Sequence, residues 1–231
     1  MILRTGRMAT ADPLSPPFAI EAGLPTVMSV ETALVDRRDL ADLVRDRTVA
    51  AIAPPMPLSL IAPVAERDAT AEEAATTCWG VSSVGADTTA LDGSGVTAAV
   101  LDTGIDPTHP AFDGVELIRR NFTAEADDDL HGHGTHCAGT IFGRDVNGTR
   151  IGVARGVRRA LIGKVLGQGG GSSESLVDAV LWAADNGAHI VSMSLGVDFP
   201  GYAAALFCLL LLPGYFLCQV VVIELLPGVR S

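Results

Sequence analysis

The second half of the chain alternates between two kinds of segment, and this alternation constrains the fold more than any other feature. Three apolar runs, GVTAAVLDTG, RALIGKVLG and HIVSMSLG, have the length and composition of buried strands. Between them lie HGTHCAGTIFG and SESLVDAVLWAADNG, which are typical of helices. Strands that alternate with helices form parallel sheets through right-handed crossovers. The sequence therefore predicts a three-layer α/β fold, mostly parallel, with strands near 97–102, 160–165 and 189–194 and helices on both faces of the sheet.

Two reactive side chains follow the first predicted strand. Asp102 stands at the carboxyl end of that strand, where parallel sheets place their working groups, and His133 lies in the first turn of the next helix. A buried carboxylate that accepts a hydrogen bond from one ring nitrogen fixes the imidazole tautomer and leaves the other nitrogen free as a base. We therefore predict that an Asp102 oxygen lies within roughly 2.6–3.2 Å of a His133 ring nitrogen.

The stretch DDDLHGHGTHCAGTIFG also permits a metal-binding interpretation. A helix brings His133 to the same face as His136 or Cys137, so His131, His133, His136 and Cys137 form an alternative set of zinc ligands. That interpretation leaves DTGID unexplained, and the preferred one predicts no metal and no cofactor. The acidic run 127–129 lacks the spacing of a calcium loop and is predicted to be solvated.

Four segments resemble the subtilisin-like serine proteases, in that family's order: AVLDTGIDPTHPAF, GHGTHCAGTI, RIGVARGVRRALIGKVLG and VSMSLG. The resemblance implies a subtilisin-like fold and a serine endopeptidase that hydrolyses peptide bonds with an Asp-His-Ser triad. In that scheme Asp102 orients the imidazole, His133 is the general base and His136 is a packing residue.

The resemblance also implies a cleft for a peptide or protein substrate. Ser194, Leu195 and Gly196 would offer an edge strand to an extended peptide, a form of β-augmentation. The glycine-rich turn 169–172, which contains Gly170 and Gly171, would form the opposite wall. The segment DLADLVRDRTVAAIAP resembles, more weakly, the end of the inhibitory prosegment that these proteases often carry.

The sequence departs from the family after Gly196. Family members need an oxyanion-hole Asn and a nucleophilic Ser in a Gly-Thr-Ser-Met-Ala-like turn, whereas residues 197–231 contain no Asn and a single serine, Ser231. The fold is therefore predicted to be incomplete at its C-terminal end, and the chain to be inactive because triad members act as a unit. A non-catalytic peptide-binding pseudoenzyme is the alternative function. The apolar tail is interpreted as a truncated or frame-shifted end, with a membrane span over 203–223 or a core helix and strand as alternatives.

Composition and local pattern set the remaining predictions. The net charge of -11 argues against nucleic acid as a partner. Four cysteines without metal-finger spacing are predicted to be free thiols, and the start of the chain has no apolar signal-peptide core, so the cytoplasm is the expected location. The predicted organisation is a loose segment, a possible prosegment-like module that contains a short helix around Leu40 and a strand at 49–52, a linker, the N-terminal half of the catalytic domain and an unassigned tail. These parts cover residues 1–30, 31–65, 66–78, 79–200 and 201–231, in that order.

Overall fold

The computed structural model describes six stretches of the chain: residues 2–7, 26–31, 33–52, 54–61, 76–196 and 223–224. The chain divides into two compact units, Met1–Pro55 and Met56–Ser231. No helix within those six stretches is long and apolar enough to cross a membrane. The predicted span at 203–223 lies outside them except for its last residue.

The smaller unit contains a three-stranded antiparallel sheet and one helix. Strand β1 (Ile2–Arg7) lies between β2 (Thr26–Glu31) and β3 (Val49–Ile52). Helix α1 (Arg37–Arg45) begins after Asp36, whose side chain accepts hydrogen bonds from two backbone N–H groups of the first turn. The predicted helix and the strand at 49–52 are both present. The structure differs from the predicted loose start, because β1 pairs with β3 across more than 40 residues of sequence, a contact that no local pattern reveals.

The larger unit is built on a five-stranded sheet. Its strands are β5 (Thr97–Asp102), β6 (Glu116–Asn121), β7 (Arg159–Lys164), β9 (Ile190–Ser192) and β11 (Ile223–Glu224), in the spatial order β11-β9-β5-β7-β6. β5 pairs in parallel with β7 over its whole length, from Thr97 opposite Arg159 to Asp102 opposite Lys164. Only β11, at one edge, runs antiparallel to its neighbour. The predicted mostly parallel sheet is confirmed.

Two helices cover opposite faces of this sheet. Alternate residues of β5 point to opposite faces. Ala98 and Val100 belong to one buried cluster with residues of α3 (His133–Phe142), whereas Ala99 and Leu101 belong to a second cluster with residues of α4 (Ser173–Asp185). The arrangement is therefore helix, sheet and helix, as predicted. A short helix, α2 (Trp79–Ser83), and a 3₁₀ turn, Pro110–Phe112, complete the helical elements of the described residues.

The start of α4 shows how the sequence encodes a helix end, one residue away from where we expected it. The sequence suggested Ser173 as the N-cap, but Ser172 is the cap: its hydroxyl accepts from the Ser175 backbone N–H in a capping box. Ser173 is buried, and its backbone N–H donates to the Met56 carbonyl instead. At the other end Gly187, at φ +77°, terminates the helix as predicted.

A second, smaller sheet lies in the larger unit. Its central strand is β4 (Pro57–Leu60), which lies between β8 (Gly171–Ser172) and β10 (Leu195–Gly196). Both flanking pairs are antiparallel. The two flanking strands are the segments that the sequence analysis assigned to the walls of a peptide cleft.

Candidate active site

The predicted Asp–His contact is present. Nδ1 of His133 lies 2.8 Å from Oδ1 of Asp102. The Asp102 side chain is 1% exposed and that of His133 is 12% exposed. With Nδ1 protonated, the ring donates to the carboxylate and presents Nε2 as its basic nitrogen.

Asp102 is held in place by backbone groups around the end of β5. The Thr103 backbone N–H donates to its Oδ1 at 2.7 Å. The Asp102 carbonyl accepts from the N–H groups of Val165 and Leu166, which continue β7. The carboxylate therefore sits at a fixed position at the carboxyl edge of the sheet.

His133 reaches Asp102 because α3 starts very close to the end of β5. A side chain at Gly134 would overlap the carbonyl oxygen of Gly104, so only glycine permits this approach. Gly132, immediately before the helix, has φ +80°, a conformation that favours glycine. The two glycines that flank His133 thus set the separation between strand and helix.

Asp129 ties the same two elements together, a role that sequence reasoning missed. Its Oδ1 accepts from Thr103 Oγ1 at 2.8 Å and from the Gly132 N–H at 2.9 Å. Its Oδ2 accepts from the N–H and the hydroxyl of Thr135, at 2.9 and 2.5 Å. Burial opposes ionisation of Asp129, but these hydrogen bonds outweigh it and lower the pKa of the carboxyl. The predicted solvated loop is correct for Asp127 and Asp128, which are exposed, and wrong for Asp129.

The buried Lys164 fixes the loop that carries Asp129. Its ammonium group donates to the carbonyl oxygens of Ala126 and Asp128, both at 2.7 Å. Lys164 is also the last residue of β7, so the acidic loop is anchored to the sheet itself.

Cys137 packs against the His133 ring. Its Sγ lies 3.7 Å from Nδ1 and 3.9 Å from Nε2, beyond the roughly 2.6–3.2 Å of a nucleophile–base hydrogen bond. Burial and the negative charge of Asp102 raise the pKa of the Cys137 thiol to about 11, although a contact with the Ser194 hydroxyl lowers it in part. The thiol is therefore protonated and weakly nucleophilic near neutral pH.

The four-residue zinc set suggested by the sequence does not converge. Among the described residues, Asp102, His133 and Cys137 bring their ligand atoms within 4.8 Å of one another, and neither His131 nor His136 belongs to this group. The His131 ring stands edge-on to that of His133, with the centroids 6.1 Å apart. The expectation that His136 packs in the interior is also wrong, since the residue is exposed.

The predicted cleft walls flank an extended strand of the chain itself. In the register of the small sheet, Leu58 lies opposite Gly171, while Ser59 and Leu60 lie opposite Gly196 and Leu195. Leu58 is 3% exposed and belongs to the core cluster that also contains Ala179 of α4. Gly170, at φ +94°, has no room for a side chain, because a Cβ there would meet the Leu58 carbonyl oxygen. The structure thus brings Gly170, Gly171, Leu195 and Gly196 around one extended segment, and Ser194 lies beside Cys137.

Comparison with known proteins identifies the family. The sequence profile of the subtilase family matches residues 93–207. A thermophilic serine proteinase from a Bacillus species is 39% identical over 108 residues, which cover 46% of this chain and 27% of that protein. Subtilisin Savinase from Lederbergia lenta is 40% identical over 129 residues, 53% of this chain and 46% of that one. The crystal structure of fervidolysin from Fervidobacterium pennivorans, a keratinolytic enzyme related to subtilisin, aligns over 51% of this chain and 20% of that one, with 28% identity and a TM-score of 0.43.

The aligned part of the chain thus spans between about a quarter and a half of the length of these two curated relatives. The matching segment contains β5, α3, β7, α4 and both predicted walls of the cleft. Residues 93–207 therefore belong to the subtilase family.

Proposed function

We propose that this chain carries the Asp–His part of a subtilisin-like serine endopeptidase site, together with two walls of its substrate cleft. The observation that carries the proposal is the 2.8 Å contact between His133 Nδ1 and Asp102 Oδ1 at the carboxyl end of a parallel strand. In this role Asp102 orients the imidazole, and Nε2 of His133 takes a proton from a nucleophile. The substrate is a peptide or protein that binds in extended form.

The 231-residue chain itself is expected not to cleave peptide bonds. The serine and asparagine motifs of the family find no counterpart after Gly196, and triad members lose nearly all of their joint effect when one is missing. Labelling with a fluorophosphonate probe tests this, because only an activated serine reacts. We expect no labelling and no hydrolysis of a fluorogenic peptide. Labelling that disappears in His133→Ala would identify a nucleophile elsewhere in the chain and overturn the expectation.

A second candidate, a non-catalytic peptide-binding protein, is supported by the position of β4. An extended segment between β8 and β10 is the arrangement in which the edges of a cleft bind a peptide strand. In this interpretation residues 57–60 occupy the cleft, and a peptide competes with them.

Release of β4 tests the cleft directly. Leu58→Asp places a charge at a position that is 3% exposed, and the cost of burying that charge exceeds what a four-residue strand contributes. We expect a fluorescent Pro-Leu-Ser-Leu-Ile peptide to bind this variant, with an increase in anisotropy. Ser59→Asp is the matched control, because Ser59 lies on the same strand and is exposed.

Equal binding of the peptide to both variants, or to neither, would contradict the assignment of β8 and β10 as cleft walls. Near-ultraviolet circular dichroism of Leu58→Asp establishes whether the larger unit keeps its packing. The same peptide with Asp in place of its first Leu should not bind, since that position enters the apolar cluster around Ala179.

A further inference from the structure

Three side chains with metal-binding atoms meet at the start of α3. They are the carboxylate of Asp102, the imidazole of His133 and the thiol of Cys137, and their ligand atoms all lie within 4.8 Å of one another. Cys137 follows His133 by four residues, so the helix places both on one face. We propose that these three residues bind a divalent cation that accepts sulfur, nitrogen and oxygen ligands, and that the matching ion is Zn²⁺.

The second oxygen of Asp102 gives an independent reason for a cation at this position. Oδ1 already accepts from the Thr103 N–H and contacts His133. Oδ2 is buried and has no hydrogen-bond partner among the described residues. An unpaired carboxylate oxygen in the interior costs free energy. A bound cation would satisfy that oxygen.

The separations in the cluster fit a tetrahedral ion with a small adjustment. With a Zn–S bond of about 2.3 Å and a Zn–N bond of about 2.0–2.1 Å, the tetrahedral angle places sulfur and nitrogen about 3.5 Å apart. The structure has Sγ of Cys137 3.7 Å from Nδ1 of His133. A nitrogen and an oxygen on such an ion are about 3.4 Å apart, whereas Nδ1 and Oδ1 are now 2.8 Å apart. Metal binding therefore lengthens the Asp–His contact by about half an ångström.

Coordination changes the protonation of the cluster in a defined way. The thiol binds as a thiolate, so its proton leaves to solvent. Nδ1 donates its lone pair to the ion, so the ring proton resides on Nε2. In the metal-bound form Asp102 and His133 no longer share a hydrogen bond, and Nε2 no longer accepts a proton. The ion thus competes with the general-base arrangement, and its binding is measurable whether or not the chain has peptidase activity.

Co²⁺ provides the test, because a cobalt–thiolate bond produces a charge-transfer absorption in the near ultraviolet. The full chain is titrated with Co²⁺, and Zn²⁺ is then added to displace it. We expect one ion per chain and loss of the band in Cys137→Ser. We also expect affinity in His133→Ala to fall by more than the roughly 10–100-fold that loss of an outer-shell partner costs.

Matched controls keep the test specific. Cys78→Ser removes the other free thiol of the described residues, and His136→Ala removes an exposed histidine of the same helix that lies outside the cluster. Both variants should keep the band, as should Cys208→Ser/Cys218→Ser. The proposal is overturned if the unmodified chain gives no band, if a folded Cys137→Ser keeps it, or if the Cys208→Ser/Cys218→Ser variant loses it.

Discussion

Asp129→Asn tests whether one carboxylate holds the start of α3 against the end of β5. Two hydrogen bonds reach each of its oxygens, from Thr103 and Gly132 on Oδ1 and from Thr135 on Oδ2. In asparagine an NH₂ group replaces one oxygen and cannot accept, so whichever pair faces it loses its bonds, and a backbone N–H then meets another donor. A hydrogen bond to a charged group contributes about 1.5–3 kcal/mol, and the partial exposure of Asp129 reduces this. We expect the free energy of unfolding of the larger unit to fall by about 2–3 kcal/mol.

Urea unfolding at pH 7, followed by tryptophan fluorescence, measures this change. Both tryptophans, Trp79 and Trp182, lie in the larger unit, so the signal reports that unit alone. Asp128→Asn is the control, because it makes the same change of charge at an adjacent, exposed position and should stay within about 0.5 kcal/mol of the parent. Equal losses in the two variants would refute the reasoning.

The pH dependence gives the same prediction an independent sign. The pKa of Asp129 is lowered in the folded state, since its hydrogen bonds outweigh the burial that opposes ionisation. A group of this kind stabilises the fold above its unfolded pKa of about 3.9, and the contribution is lost as the pH falls through the lower, folded pKa. The difference in stability between the parent and Asp129→Asn should therefore be full at pH 6 and narrow as the pH falls from about 4 toward 2.

Two further predictions concern α3. Gly134→Ala should cost about 1–3 kcal/mol and displace His133, because the new methyl group overlaps the Gly104 carbonyl; Gly139→Ala, where a Cβ meets only Ile151 at 3.9 Å, should stabilise the helix by about 0.5–1 kcal/mol. Urea unfolding and the NMR signal of the His133 Nδ1 proton distinguish the pair, and similar behaviour of the two variants would contradict the close approach. In a variant whose other three cysteines are serine, the rate of alkylation of Cys137 by iodoacetamide should keep rising until the pH reaches about 11. A rate that levels off near pH 8 would contradict the influence of burial and of Asp102 on this thiol.

The sheet and its two helices could be predicted because each is written in a local pattern. β5 and β7 are continuous apolar runs, as strands buried on both faces must be, and all six residues of β5 are buried. α4 has apolar residues at helical spacing and a glycine at its end. The Asp102–His133 contact follows from these elements, since a strand end and the next helix start meet at the carboxyl edge of a parallel sheet.

Features that depend on contacts between distant residues could not be predicted. β4 finds its partners more than 100 residues away, and its four residues, PLSL, have a proline and a serine that do not mark a central strand. Asp129 looked like part of a charged run, and only the positions of Thr103 and Thr135 in space distinguish it from its exposed neighbours. A signal was present in hindsight: threonine follows both Asp102 and Gly134, and a hydroxyl beside a buried carboxylate needs an acceptor.

The Asp–His pair and the cleft are assembled by different parts of the chain, which separates positioning from catalysis. The pair needs β5, the loop that ends at Asp129, and the first turn of α3, all between residues 97 and 136. The cleft walls follow β7 and β9 and meet an extended strand whether or not a peptide bond is cleaved there. A chain with both parts binds an extended peptide beside an oriented imidazole, and hydrolysis then depends only on a nucleophile reaching Nε2 of His133. Loss of the imidazole orientation in Gly134→Ala should therefore leave binding of the Pro-Leu-Ser-Leu-Ile peptide to a Leu58→Asp background unchanged. A large fall in that affinity would mean that the pair and the cleft fold as one cooperative unit.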